Sequence, residues 1–216
     1  MPYKLVILLS GGGSNLQAFI DACESKALPD TEISAVISNK ADAFGLIRAQ
    51  QAGIATACID HKEFANREDF DSALKNKIDE FGADLVVLAG FMRILTPGFV
   101  RHYLGRLINI HPSLLPKYPG LHTHQRALDA GDTETGATVH FVTEELDGGP
   151  PIIQAKIPIF DGDNTATLAE RVLSKEHTIY PLAAQWFAEG RLSLQNSKAV
   201  LDDKNLPESG VLFQPN

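Results

Sequence analysis

Residues 4–88 alternate between short apolar runs and segments of helical periodicity, and this alternation limits the folds open to the chain. Lys4–Leu9 is a compact apolar run with β-branched residues, read as a buried strand. It meets the turn Ser10-Gly11-Gly12-Gly13, after which Ser14 and Gln17 have the spacing of a capping box and open a helix to about Cys23. Ile33–Ile37 reads as a second strand, followed by a helix from Phe44 to Ala52 that Gly53 ends. Thr56–Ile59 is a third strand, and Phe70, Leu74, Ile78 and Phe81 recur at helical steps across Arg67–Phe81. Asp84–Leu88 is a fourth strand. Apolar strands joined through helices are buried on both faces, so the expected class is α/β, with a doubly wound, mostly parallel, Rossmann-like sheet. Such sheets bind ligands beyond the carboxyl ends of their strands.

The pattern changes after residue 130. Ala137–Val142 alternates, Ile152–Ile157 is a second extended run, and Leu146-Asp147-Gly148-Gly149-Pro150 lies between them as a turn. This predicts an antiparallel C-terminal portion, followed by a long amphipathic helix over Thr167–Trp186. No linker separates a second domain, so residues 1–216 are expected to form one catalytic domain whose tail, 198–216, is loosely held.

The net charge of −8 argues against nucleic acid and anionic membrane as partners, since both require basic surface. It leaves room for a small anion held by a local site. No apolar run reaches membrane length, no leader is visible, and Cys23 and Cys58 stand apart, which together predict a cytoplasmic, reduced protein.

Three loops lie at strand carboxyl ends. In the first, Gly13, Ser14 and Asn15 open a helix, where free N–H groups and the helix dipole suit a phosphate. Leu16 occupies the place of the third glycine of a dinucleotide fingerprint, so a phosphomonoester fits better than NAD. The second is Gly90-Phe91-Met92-Arg93-Ile94-Leu95, an apolar wall for a flat ligand or simply core. The third follows Asn109-Ile110-His111-Pro112-Ser113-Leu114-Leu115-Pro116. Asn109 and His111 share a face of an extended chain, and Pro112 keeps His111 out of the helical region. A carboxamide beside an imidazole suits a tetrahedral oxyanion and a proton. The natural partner of His111 is a carboxylate, for which Asp147 is the candidate; by approaching, it would raise the imidazole pKa. Each feature also has an ordinary reading: a tight turn, a hydrogen-bonded strand-end histidine, an Asp-Gly turn. His122-Thr123-His124 with His111 offers three imidazoles, but the pattern matches no usual zinc spacing and no metal is expected. Arg67 and Arg93 are candidates for gripping carboxylates, and Glu176 is by default a helix-surface charge.

Ser10–Leu16, Ser38–Ala43, Leu88–Leu95, Asn109–Pro116 and Leu146–Pro150 together resemble the folate-dependent glycinamide ribonucleotide formyltransferases, members of the formyltetrahydrofolate-using superfamily. The resemblance extends from the first strand to a little beyond Trp186. It implies a formyltransferase fold and transfer of a formyl group from 10-formyltetrahydrofolate to the amino group of glycinamide ribonucleotide, in purine biosynthesis. It further implies that Asn109, His111 and Asp147 are catalytic. Gly13, Ser14 and Asn15 would hold the substrate phosphate and Glu176 its glycinamide end. Arg67, Met92, Arg93, Ile94 and Leu95, with Asn109, would bind the folate co-substrate. The protein is then expected to act on small molecules as a monomer or homodimer. The alternatives are another 10-formyltetrahydrofolate-using enzyme, such as a deformylase, and a non-catalytic nucleotide-phosphate sensor on the same sheet. The latter would need the glycine loop but not the Asn109–His111–Asp147 trio.

Overall fold

The computed structural model describes residues 1–214 and divides into two compact units, Met1–Ile108 and Asn109–Asn216. In the first unit, β1 (Tyr3–Leu9), β2 (Thr31–Ser38), β3 (Thr56–Cys58) and β4 (Leu85–Leu88) alternate with α1 (Ser14–Glu24), α2 (Phe44–Gln51) and α3 (Arg67–Glu80). A further helix, α4 (Pro97–His102), precedes β5 (Leu107–His111). The strands run parallel in the order β4-β1-β2-β3. Leu5 through Leu9 are all 0% exposed, as a strand covered on both faces requires. The chain leaves β1 toward β2 and β3 and returns on the other side as β4. The switch point therefore lies between β1 and β4, and the glycine turn and the Gly90 loop are the two loops that flank it.

The second unit continues β5 and adds α5 (Thr123–Asp129), β6 (Glu134–Phe141), β7 (Pro151–Pro158) and α6 (Thr165–Ala188). β6 and β7 are antiparallel, with Thr138 opposite Gln154. α6 packs on both strands and begins at a capping box in which the Asn164 side chain accepts from the Thr167 N–H. It carries Pro181 in its interior and runs through it without a break. The short strands β8 (Leu192–Gln195), β9 (Lys198–Leu201) and β10 (Lys204–Asn205) form a separate antiparallel sheet, and β11 (Val211–Leu212) adds in parallel to β7. The class is α/β, with a mostly parallel sheet and an antiparallel C-terminal portion.

Two expectations are corrected. Ser14 is not the cap of α1: Gly13 occupies that place in the left-handed region (φ 71°) and no side chain caps the helix. The capping-box spacing is present, but the positive φ belongs to glycine, so the cap falls on Gly13 and the helix starts one residue earlier, at Ser14. The tail is not loosely held over its described length. Ala199 and Val200 are buried, β11 pairs with Ile153 and Gln154, and Phe213 N–H donates to the Gln154 carbonyl at 2.8 Å. The hairpins turn on Asn196-Ser197 and Asp202-Asp203, all at positive φ, so polar residues that read as loop are the turns between strands. The last two residues of the expected tail lie outside the described residues.

Candidate active site

β5 delivers Asn109 and His111 as strand alternation requires, and the Leu146–Pro150 turn brings Asp147 to them. Asp147 is in the left-handed region (φ 51°), and its Oδ2 lies 3.5 Å from His111 Nδ1. Both side chains are buried. Asp147 Oδ2 also accepts the Gly120 N–H at 2.8 Å, which anchors the carboxylate without neutralising it. The turn approaches β6 closely: a Cβ on Gly149 would sit 1.8 Å from the Phe141 carbonyl oxygen. His111 Nε2 stands 2.8 Å from the Tyr118 carbonyl. A carbonyl only accepts, so Nε2 carries a hydrogen, and Nδ1 is the nitrogen that faces Asp147.

A fourth polar side chain joins the trio. His140, on β6, is buried at 2% exposure, and its Nδ1–H donates to the Phe141 carbonyl at 2.8 Å. Its Nε2 then presents a lone pair, which accepts from Asn109 Nδ2 at 3.3 Å. Burial pushes the His140 pKa down to about 4, partly offset by the Phe141 bond and the Asp147 charge 3.8 Å away. A neutral His140 thus fixes which way the Asn109 amide faces and leaves its second N–H for another acceptor. The loop after His111 is tied to β6 and β7. Thr138 Oγ1 donates to the Ser113 carbonyl at 2.7 Å and accepts the Leu115 N–H at 3.1 Å, while Gln154 Nε2 donates to the Leu115 carbonyl at 2.7 Å.

In the first unit the glycine loop rests on α2. Gly45 N–H donates to the Gly11 carbonyl at 3.0 Å and Arg48 Nε to the Gly12 carbonyl at 2.9 Å. Ser10 holds the second loop: its N–H donates to the Gly90 carbonyl, its Oγ accepts the Met92 N–H at 2.8 Å, and its hydroxyl donates to Asn39 Oδ1 at 2.6 Å. Met92 and Ile94 are exposed at 62% and 59%, a large apolar display for a loop. The Arg93 guanidinium lies 5.8 Å from the Phe70 ring centre, and Arg67 is exposed one turn earlier on α3.

Residues 3–184 match the formyl transferase family. The chain belongs to that family. This formyl transferase is 59% identical to phosphoribosylglycinamide formyltransferase of Escherichia coli over 96% of its own length and 97% of the relative's. It is 48% identical to the human trifunctional purine biosynthetic protein adenosine-3, covering 90% of this chain and 19% of that one. A solved phosphoribosylglycinamide formyltransferase from Coxiella burnetii superposes with a TM-score of 0.95 at 55% identity, covering 99% and 100% of the two chains. The formyl transferase is an enzyme; its full-length relatives are named phosphoribosylglycinamide formyltransferase, and the purine-biosynthetic name is that of the longer trifunctional relative.

Each residue expected in the site has a definite place in this formyl transferase. Asn109, His111 and Asp147 stand together in the second unit. Gly13, Ser14 and Asn15 open α1 in the first, and Met92–Leu95 follow β4. Glu176 is 7% exposed on α6, so it is no solvated surface charge. His122 caps α5 and His124 lies in its first turn, with the His124 pKa lowered by burial and by the nearby His111. Among the described residues no group of three or more His, Cys, Asp or Glu could hold a metal ion. His140, Thr138 and Gln154 went unnoticed in the sequence. Their signal was available: Thr138 and His140 are polar residues on one face of a strand buried on both.

Proposed function

We propose that this formyl transferase moves the formyl group of 10-formyltetrahydrofolate to the amino group of glycinamide ribonucleotide, in purine biosynthesis. The observation that carries the chemistry is the approach of Asp147 to His111 Nδ1 at 3.5 Å, with Asn109 held by His140 beside them. The substrate amine attacks the formyl carbon, and negative charge gathers on the formyl oxygen. Asn109 gives that oxygen its second N–H, and His111, facing Asp147, stabilises it and supplies a proton. The attacking nitrogen loses a proton, N10 gains one, and the C–N10 bond breaks. A water held by Asp147 is the carrier for that transfer. No covalent enzyme intermediate is needed.

The remaining assignments follow the family resemblance. Gly13, Ser14 and Asn15 hold the substrate phosphate, and Glu176 meets the glycinamide end. Arg67 and the Met92–Leu95 wall, with Asn109, receive the folate. Residues 1–216 act as one catalytic domain, with no metal, as a monomer or homodimer in the cytoplasm. The charge of −8 supports the absence of a nucleic-acid partner. Among the described residues no helix is long and apolar enough to cross a membrane.

The test is the change in folate absorbance on mixing the protein with both substrates, run beside Asp147→Asn. The asparagine keeps an oxygen for the Gly120 N–H but loses the charge facing His111. Turnover should fall by about two orders of magnitude with the fold intact. Near wild-type turnover would remove Asp147 from the mechanism, and no absorbance change with the wild type would remove the substrate assignment.

A further inference from the structure

The glycine loop is oriented from outside itself. In a trans peptide the C=O and the following N–H point in opposite directions. The Gly11 carbonyl is taken by the Gly45 N–H, one of the unpaired amides of the first turn of α2, and the Gly12 carbonyl is taken by Arg48 Nε. The N–H groups of Gly12 and Gly13 are therefore turned away from α2, side by side. Successive amides facing one way make an anion-binding concavity. α2 lies hard against this loop: a Cβ on Gly13 would meet Gly45 Cα at 2.7 Å, and one on Gly45 would meet Leu9 at 2.4 Å.

Arg48 is itself held. Its Nη1 donates to Gln17 Oε1 at 3.0 Å, and its guanidinium lies 5.0 Å from the Phe44 ring centre. It is half-buried, so a positive charge is fixed beside the loop in a chain of net charge −8. A bond from a cation to the Gly12 carbonyl also polarises that peptide and strengthens its N–H as a donor.

We propose that Arg48 is a positioning residue for phosphate selection, acting through the Gly12–Gly13 peptide rather than by taking the reacting groups itself. The proposal rests on the reading that the glycine loop holds the substrate phosphate. Glycinamide ribonucleotide and its dephosphorylated riboside should be compared with wild type, Arg48→Met and Arg48→Lys. Wild type should prefer the ribonucleotide. Arg48→Met should raise KM for the ribonucleotide by about tenfold or more, with kcat nearly unchanged. Its kcat/KM for the riboside should stay at the wild-type value. Arg48→Lys keeps the charge but cannot set the same Nε–H on Gly12, and should recover only part of the loss.

An equal loss on both substrates would mean general damage and overturn the proposal, as would an unchanged KM in Arg48→Met. Full recovery in Arg48→Lys would leave charge alone as the cause and overturn the peptide-orienting role. A wild type that does not distinguish ribonucleotide from riboside would instead overturn the phosphate-loop reading.

Discussion

His140 is where one side chain does most for its neighbours. It is neutral because burial forbids the charge, and neutrality gives it the lone pair that holds Asn109. The same burial makes stability depend on pH. Unfolded, the imidazole takes a proton near its ordinary 6.5; folded, it refuses one until about 4. Its stabilising contribution is whole above the unfolded value and is lost as pH falls toward the folded one. Between pH 7 and pH 5 this amounts to about 2 kcal/mol. Denaturation of wild type and His140→Gln at both pH values should show the wild type losing more by roughly that amount. Parallel losses would mean that His140 does not titrate across this range. The pairing of His111 with a carboxylate could be anticipated because an imidazole handling charge needs a counterion. His140 could not be assigned by the same reasoning, since a strand histidine declares its role only when its two nitrogens meet their partners.

Among the elements, turns explain both the successes and the misses. Strands and helices over residues 3–88 follow the apolar pattern closely because all but the short β3 bury an apolar run or face. Elements with little core escaped: β8–β11 have four residues or fewer each, and their turns use Asn, Ser and Asp at positive φ where glycine would have been the signal. The Asp147 turn is the opposite case, since its Gly149 is forced by contact. Gly149→Ala would drive a methyl group into the Phe141 carbonyl and should cost about 2 kcal/mol or more, with loss of turnover as Asp147 shifts. Gly148→Ala meets only the Glu145 side chain, which can move, and should cost less. Denaturant unfolding of the two variants tests this, and equal stabilities would show that the turn yields.

At the level of the whole molecule, a ligand that binds only the folded chain stabilises it by mass action. Glycinamide ribonucleotide at a hundredfold excess over its Kd should add about 2.7 kcal/mol and raise Tm by roughly 5–10 °C. Calorimetry should show the transition rising by that amount; an unchanged Tm would remove glycinamide ribonucleotide as the ligand. The class of fold and the placing of Asn109 and His111 on one face of a strand were readable along the chain. They depend on local periodicity and on neighbours in sequence. Three-dimensional contact alone decided that Asp147 stands 3.5 Å from His111, that His140 turns the Asn109 amide, and that Arg48 reaches the Gly12 carbonyl. Those residues lie roughly thirty or more positions apart, and an imidazole, a guanidinium or a carboxylate reads the same in sequence whether it faces solvent or a partner. Only the packed chain sets which hydrogen-bonding atoms face each other and which are denied water, and from that come their charge and their orientation.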